Sequence, residues 1–233
     1  MKLLRRVVDG SSLLLGKLKR NQRIALSVGC SLIKVNIGCG LAVAPGWMNI
    51  DGSLNALVAT MPRFFHRLAY HLTGANRYYS KAEYLRLLGK HHFIHHDLAY
   101  GLPLADGVVD FLYSSHFIEH LFRKDAAHLL RESYRVLKPG GTIRISIPDL
   151  EYALSLYKAG EKEKMLSAYF FVEDDNSYYA RHKYMWDYDM IADALCQAGF
   201  QGIQRCNYRQ GRTPDLEILD NRPHDSLFVE AVR

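Results

Sequence analysis

Cysteine is scarce in this sequence, with only 4 among 233 residues. Cys30, Cys39, Cys196 and Cys206 do not form the C-x-x-C pairs typical of structural zinc sites, and they are too few for a disulfide scaffold. Their number fits reduced thiols in a cytosolic protein. The chain also lacks an apolar run of the roughly 18 residues that a membrane-spanning helix needs, and we expect no secretory signal.

The body of the chain has no excess of positive charge. The formal net charge is +6, but residues 1–34 alone contribute +7 and the remaining residues sum to −1. A basic arm of this kind does not indicate a nucleic-acid substrate for the rest of the protein. The hydrophobic content of 48% excludes a disordered chain and favours one globular domain.

Strand-like and helix-like segments alternate from Leu32 onwards. This alternation predicts an α/β fold with a Rossmann-like, doubly wound and mostly parallel sheet. The predicted strands are Leu32–Ile37, Trp47–Ile50, His92–His96, Val109–Tyr113, Thr142–Ile147, Gly202–Tyr208 and Ser226–Val232, and the clearest helices are Arg123–Leu137, stopped by Lys138-Pro139-Gly140-Gly141, and Asp187–Ala198, closed by Gly199.

Two segments between predicted strands are longer than the connection between parallel strands requires. The domain prediction is therefore a basic arm over residues 1–31 and one domain over 32–233, with inserts at about 54–90, read as two helices, and 151–186. Both inserts follow the carboxyl ends of strands, where open α/β sheets bind ligands, so we interpret them as a substrate cap. Their many aromatic residues could instead fill the inserts' own small cores, and this alternative stays open.

Three consecutive strand ends carry residues suited to a nucleoside. Gly38 and Gly40 let the backbone approach a ligand closely, the Asp51 carboxylate can accept hydrogen bonds from both ribose hydroxyls, and Asp97 can accept from an adenine amino group. Only eleven positions separate Gly40 from Asp51, too few for a crossover helix and a strand, and Ala42 stands where a dinucleotide fingerprint has its third glycine. The spacing favours a nucleoside without phosphates over NAD.

The motifs resemble those of the class I methyltransferases that use S-adenosylmethionine (SAM). The segments that carry the resemblance are Val35-Asn36-Ile37-Gly38-Cys39-Gly40, Gly46-Trp47-Met48-Asn49-Ile50-Asp51, His96-Asp97-Leu98, Glu119-His120-Leu121 and Arg135-Val136-Leu137-Lys138-Pro139-Gly140-Gly141. More narrowly, they resemble the methyltransferase type 11 group with a G-W-x-N-I-D second motif. The resemblance covers about residues 33–150 and parts of the tail, and it implies a seven-stranded sheet with SAM as cofactor.

The resemblance also implies a role for each matching residue. Gly38, Cys39 and Gly40 would pass under the methionine and ribose of SAM, and Asp51 would hold the ribose diol. Asp97 and Leu98 would border the adenine. The remaining cofactor positions are Ser114 and Ser115 beside the methionine, and Asn36, which replaces the first-strand acid common in the superfamily and can still accept a hydrogen bond from the amino group.

Histidines offer two kinds of chemistry. His116 follows the fourth strand and could take a proton from an acceptor hydroxyl, although a packing role is an equal alternative; His182 and Tyr184 are further candidates for contacts with the acceptor. His116-Phe117-Ile118-Glu119-His120 also matches the H-x-x-E-H zinc pattern. Because the resemblance accounts for Glu119-His120 without metal, we expect no metal. The cluster His91, His92, His95 and His96 alternates along a strand and cannot converge on one ion.

Together these observations predict a SAM-dependent methyltransferase, acting on a hydroxyl of a small molecule or a sugar or glycan. The resemblance to proteins associated with polysaccharide biosynthesis favours a glycan acceptor. The alternative is a non-catalytic SAM-binding partner protein of the same fold. We expect a cytoplasmic location, with peripheral membrane contact through the amphipathic, basic residues 1–34 as a hypothesis. Packing of this arm on its own sheet or on a second subunit is an equal alternative, and the sequence does not indicate the oligomeric state.

Overall fold

The computed structural model describes residues 14–25, 32–170 and 181–233. Within these ranges seven strands form one sheet with the order β3-β2-β1-β4-β5-β7-β6. The strands are β1 (Lys34–Ile37), β2 (Met48–Asp51), β3 (His92–His95), β4 (Val109–Ser115), β5 (Leu137–Pro148), β6 (Gln201–Cys206) and β7 (Ser226–Val232). β1 to β5 pair in parallel, and β7 runs antiparallel to β5 and β6. The predicted Rossmann-like, mostly parallel sheet is confirmed.

Helices cover both the connections and the inserts. Residues 14–19 form α1. The other α-helices are α2 (Leu54–Ala59), α3 (Arg63–Leu72), α4 (Lys81–Lys90), α5 (Arg123–Val136), α6 (Leu150–Lys158), α7 (Lys162–Met165), α8 (Tyr188–Ala198) and α9 (Leu216–Leu219). Asp187 caps the start of α8 by accepting a hydrogen bond from the Met190 amide at 2.8 Å, and Gly199 ends it with a φ of +105°. No helix among these described residues is long and apolar enough to cross a membrane.

Two expectations about element boundaries are wrong. The first insert holds three α-helices, α2 to α4, where two were expected, because Ser53 and Ser80 each cap a separate helix. The predicted stop at residues 138–141 is part of β5: the strand begins at Leu137 and pairs there with Val109, and its register then shifts before Thr142. Pro139 and Gly140 therefore form an irregularity within the strand and not a loop before it.

The core lies between the sheet and the helices that flank it. The inward-facing residues of the central strands, such as Val35, Ile37, Leu112 and Ile145, are fully buried. They pack with α5 and α8 in one hydrophobic cluster. The first insert has a separate small core that includes Tyr70 and Tyr84, so some of the insert's aromatic residues stabilise the insert itself. The rigid sheet leaves the carboxyl ends of β1 to β4 at a common edge.

A buried ionic network lies at the β5–β7 side of the sheet. Arg144 has no exposed surface and donates to both Asp220 oxygens, at 2.6 and 3.2 Å, and to Glu230 at 3.4 Å. It also donates to the Gln210 and Asn207 carbonyls. Backbone amides donate to both carboxylates as well, including Arg209 to Asp220 and Thr213 to Glu230. This network fixes the segment between β6 and β7 against the sheet.

Candidate functional site

The loop after β1 is closed by the carboxylate at the end of β2. Gly38 and Gly40 have φ values of +63° and +52°, in the left-handed region that favours glycine. Asp51 accepts hydrogen bonds from the Gly40 amide at 2.8 Å and from the Ser53 amide at 2.6 Å, one on each oxygen. Each oxygen keeps further acceptor capacity. The structure thus joins three of the predicted cofactor residues in one cradle.

Two buried side chains lie next to the loop after β1. Asn36 is almost fully buried and donates to the Ala42 carbonyl at 2.9 Å and to Asn49 at 3.3 Å, so it anchors the far side of the loop. The Cys39 thiol is buried, and both burial and the negative charge of Asp51 raise its pKa. Cys39 therefore stays a neutral packing residue, while its backbone forms the cradle.

The adenine side of the predicted site lies at the end of β3. Asp97 caps a 3-10 turn (Leu98–Tyr100) by accepting from the Ala99 amide at 3.0 Å, and Leu98 is buried. Gly52, next to Asp51, lies beside Asp97, since a Cβ on Gly52 would be 3.5 Å from the Asp97 Cα. The structure therefore brings Asp97 and Leu98 to the same edge as Asp51.

The described part of the arm packs against this edge. Gly16 in α1 is buried against Asp97: a Cβ there would lie 2.8 Å from Asp97 Oδ2. Arg23 donates to the Leu102 carbonyl and the Ile24 amide to the Pro103 carbonyl. Among the three open alternatives for the arm, residues 14–25 thus pack on their own domain. Residues 1–13 and 26–31, which include Cys30, lie outside the described residues.

Two of the clustered histidines are buried in the same region. His95 and His96 are 2% and 1% exposed, whereas His92 is exposed. Burial lowers the pKa of both buried imidazoles, and the Lys19 ammonium, 3.4 Å from His95 Nδ1, lowers that of His95 further. The four histidines do not converge, as the strand alternation predicted.

The end of β4 lies next to the glycine loop. Ser114 is fully buried and pairs in register with Ile37, the residue before Gly38, and Ser115 is half-buried. His116 follows with a φ of +48°, in the left-handed region that a residue other than glycine adopts only where the surrounding structure holds its backbone. Its amide is held by the Ser146 carbonyl at 2.8 Å. These residues therefore lie where the methionine side of the cofactor is expected.

The His116 imidazole is held on both sides. Its Nε2 lies 2.8 Å from Ser226 Oγ, and its Nδ1 lies 3.4 Å from the Arg222 guanidinium and 3.6 Å from Glu119 Oε1. Burial and the nearby positive charge of Arg222 lower its pKa to about 3. The imidazole is therefore neutral at pH 7, with one nitrogen protonated and the other an acceptor, and both nitrogens face polar groups of the protein.

Glu119, His120 and His182 form a compact group beside His116. The potential ligand atoms of the three residues all lie within 4.8 Å of one another. Glu119 is 1% exposed, and burial raises the pKa of its carboxyl to about 8. The ring centroids of His120 and His182 are 5.0 Å apart. Burial also lowers the pKa of His120 to about 4 and that of His182.

Tyr184 lies at the edge of this group. Its ring packs against that of Trp186, with centroids 4.7 Å apart, and against the main hydrophobic core. The amides of Lys183 and Tyr184 both donate to the Glu119 carbonyl, at 2.7 and 3.2 Å. The return segment of the second insert is thereby fixed to the turn that carries Glu119, which explains how Glu119 and His182, 63 positions apart, meet. Residues 171–180 of this insert lie outside the described residues.

Comparison with known proteins identifies the fold and a domain within it. A family model described as "Methyltransferase domain" matches residues 52–145. A SAM-dependent methyltransferase of Archaeoglobus fulgidus aligns over 99% of this chain and 98% of its own, with 15% identity and a TM-score of 0.50. The fold is that of a class I methyltransferase. The matched domain and the fold indicate S-adenosylmethionine as the cofactor.

Two further solved structures are similar to this chain, one over only part of its own length and one at a lower TM-score. The methyltransferase SibL aligns over 88% of this chain with 18% identity and a TM-score of 0.50, and the chain spans 51% of its length. A SAM-dependent methyltransferase of Thermotoga maritima is similar over 99% of this chain and 91% of its own, with 19% identity and a TM-score of 0.47. No curated protein sequence matches the chain.

The methyltransferase match begins after β2, so the Gly38–Gly40 loop and the G-W-x-N-I-D segment lie outside it. Sequence reasoning missed several residues that shape the site. Ser226 reaches His116 from the start of β7 and Arg222 from the segment before it, and no local motif marks them. Glu119 was visible in H-x-x-E-H, but its burial and its approach to His182 depend on the return of the second insert and could not be read from spacing.

Proposed function

We propose that this chain transfers the methyl group of SAM to a hydroxyl group of a small-molecule or glycan acceptor. The observation that carries the proposal is the cradle at the ends of β1 and β2, where Gly40 and Asp51 are joined by a 2.8 Å hydrogen bond. The cradle would hold the ribose of SAM on the carboxylate of Asp51, with Asp97 and Leu98 along the adenine and Ser114 and Ser115 beside the methionine.

Bound SAM supplies a methyl group already activated on a sulfonium. Transfer would break the bond from sulfur to methyl as the bond from the acceptor oxygen to methyl forms, and the electron pair would stay on sulfur, giving S-adenosylhomocysteine. The protein has to align the acceptor, exclude water and take the hydroxyl proton. We assign the proton to His116, which directly follows the two serines. Its pKa of about 3 makes it a weak base, so it would accept the proton only as the new bond to methyl forms and the hydroxyl becomes strongly acidic. His182 and Tyr184, on the return of the second insert, would face the acceptor.

A hydroxyl acceptor is supported by the base-like chemistry of this group and not by the comparisons. A glycan is supported by the cap-like position of the inserts and by the aromatic side chains in them, such as the half-exposed Tyr152 and Tyr157 in α6, because such rings can stack on sugars. The near-neutral body of the chain does not favour nucleic acid. Peripheral attachment to a membrane fits a lipid-linked glycan.

Two measurements test this function in sequence. Calorimetric titration should show SAM and S-adenosylhomocysteine binding to the full chain at one site; absence of both would refute the cofactor assignment. A screen with SAM labelled in the methyl group should then show transfer to sugars, nucleotide sugars or lipid-linked glycans. Binding without transfer to any acceptor class would favour the non-catalytic alternative. His116→Ala should lower turnover and leave the Kd of SAM unchanged, with His92→Ala, an exposed histidine on β3, as control.

A further inference from the structure

The group formed by Glu119, His120 and His182 has unused ligand capacity. Both oxygens of the buried Glu119 carboxyl have no hydrogen-bond partner among the residues that the structure describes. Their nearby polar atoms are His120 Nε2 at 3.8 Å and His116 Nδ1 at 3.6 Å from Oε1. A buried carboxyl without partners is costly, and a bound cation would satisfy it.

The two histidines are oriented as metal ligands usually are. His120 Nδ1 lies 3.1 Å from the Arg181 carbonyl, and His182 Nδ1 lies 2.7 Å from the Tyr169 carbonyl. A carbonyl only accepts, so each Nδ1 carries the proton and each Nε2 has a free lone pair. Hydrogen bonds of this kind to backbone carbonyls fix the tautomer and the ring orientation of metal-bound histidine.

We propose that Glu119, His120 and His182 bind a divalent transition-metal ion, with Zn²⁺ as the best match. Two imidazoles and one carboxylate form a His₂Glu set, which leaves a coordination position open for a further ligand. Tetrahedral Zn²⁺ with ligands at about 2.0–2.2 Å separates ligand atoms by roughly 3.4 Å. The ligand atoms lie within 4.8 Å of one another, so the widest pair has to approach by up to about 1.4 Å, which small side-chain rotations can supply.

This set differs from the one that the H-x-x-E-H motif suggests. The motif pairs His116 with His120 on one helical face, but these residues lie around a 3-10 turn (Ile118–His120), with His116 in a left-handed conformation before it. His116 is already held by Ser226, and the third ligand comes from the second insert. Two cations lie near the group and oppose a bound cation: Arg222, which is exposed and 3.4 Å from His116 Nδ1, and Lys183, which donates to the His120 carbonyl at 2.8 Å. The negative charge of Glu119 has to outweigh both. The proposal therefore replaces our expectation of no metal.

The position of the ion would deepen the proposed function. The group is directly connected to the end of β4, where the acceptor is expected, and a hydroxyl bound at the open position would lose its proton more easily. Only this last step rests on the proposed function; metal binding itself does not.

Metal content is the direct test. Full-length protein without a histidine tag would be exchanged into Zn²⁺, desalted and analysed by plasma mass spectrometry, and metal-free protein would be titrated with Zn²⁺ against a chromophoric chelator. Co²⁺ would report coordination geometry by its visible absorption. We expect one ion per chain, tetrahedral Co²⁺ spectra, and affinity at least 100-fold weaker in Glu119→Gln and His182→Ala. His92→Ala, on the exposed edge of β3, should bind like the wild type.

Failure is distinguishable from failure of the methyltransferase proposal. Wild-type protein that holds no Zn²⁺, or variants that hold it as tightly as the wild type, would overturn the metal site whatever the result with SAM. Calorimetric binding of S-adenosylhomocysteine and circular dichroism would be measured on each variant. A variant that loses the metal but keeps its S-adenosylhomocysteine affinity and its circular dichroism spectrum supports the metal site. If a variant fails to fold, the stoichiometry and the Co²⁺ spectrum of the wild-type protein test the site instead.

A second, independent feature lies on the first insert. The outer face of α3 exposes four large apolar side chains, Phe64, Phe65, Leu68 and Leu72, each at least 45% exposed. A groove of about 360 Å³ between α3 and α4 lies beside this face, and its lining includes the cations Arg63, Arg67, Arg86 and Lys90 but no acidic residue. Residues 54–90 contain six Lys or Arg and one Glu.

We infer that this face binds an anionic phospholipid surface. Exposed apolar residues at i, i+4 and i+8 beside a row of cations are suited to the boundary between acyl chains and headgroups, and the basic groove is complementary to phosphate. This surface is separate from residues 1–34.

Vesicle co-sedimentation of the full chain tests this inference. We expect binding to vesicles that contain phosphatidylglycerol, little binding to pure phosphatidylcholine, and at least tenfold weaker binding for Phe64→Ser with Leu68→Ser. Leu154→Ser with Ile218→Ser, two similarly exposed residues elsewhere, should bind as the wild type. Equal binding by both double variants would overturn the inference. So would sedimentation analysis in which the α3 variant converts a dimer to a monomer without changing vesicle binding.

Discussion

Replacing Asp51 with asparagine tests the proposed cofactor cradle most directly. In the structure one Asp51 oxygen accepts from the Gly40 amide at 2.8 Å and the other from the Ser53 amide at 2.6 Å. Asparagine keeps one of these acceptors and puts an NH₂ donor in place of the other. One backbone amide then faces a donor, and one ribose hydroxyl loses its charged acceptor.

The expected magnitude follows from the charge of the acceptor. A hydrogen bond to a charged group contributes about 1.5–3 kcal/mol, and each 1.4 kcal/mol is tenfold in Kd. Loss of one such bond to the ribose should therefore weaken SAM by about 10- to 150-fold. Because the ribose is common to substrate and product, S-adenosylhomocysteine should weaken by the same factor, whereas loss of a contact to the methyl group would affect only SAM.

Isothermal calorimetry on Asp51→Asn would measure both constants. Asp193→Asn, an exposed position on α8, is the matched control and should leave both unchanged. Thermal unfolding of each variant without ligand would separate damage to the loop from loss of ribose contact. If Asp51→Asn folds and binds both ligands within twofold of the wild type, Asp51 does not hold the ribose and the cradle is wrongly assigned.

Further predictions concern stability and the glycine loop. Arg144→Met should lower the free energy of unfolding by about 3–5 kcal/mol, since it leaves Asp220 and Glu230 buried without their cation; urea denaturation would measure this, and a change below 1 kcal/mol would contradict it. Gly38→Ala should abolish SAM binding, because the residue has a φ of +63° and a Cβ there would overlap the Phe117 ring. Adding Phe117→Ala should recover stability, but not all affinity, and full recovery of affinity would show that only the overlap matters.

The sequence alone predicts the sheet well because its signals are local. Short Val- and Ile-rich runs that end in Gly38 or Asp51 identify parallel strands and their ligand-binding ends. The same signals predict Gly38, Gly40 and Asp51 as neighbours, and in the structure the Gly40 amide donates to Asp51 and the Gly38 amide to the Ile50 carbonyl. Whether they bind SAM with the assigned contacts stays a prediction.

Features that depend on distant chain segments were not predictable. The start of β5 at Leu137 requires pairing with Val109, which overrides the stop signal of Pro139 and Gly140. Likewise, Glu119 meets His182 only because backbone amides of the returning insert pair with the Glu119 carbonyl. Spacing rules describe neighbours within one helix or strand, so they do not identify Arg222 and Ser226 as the partners of His116.

The position of α1 couples docking of the arm to binding of the cofactor. Gly16 is buried against Asp97, at the edge where the adenine is expected, so arm docking and nucleoside binding share a residue. If the docked arm changes the affinity for the cofactor by some factor, then bound cofactor changes the equilibrium constant for docking of the arm by the same factor. Binding of a nucleoside in the cleft would then change the rate of protease cleavage around residues 14–25.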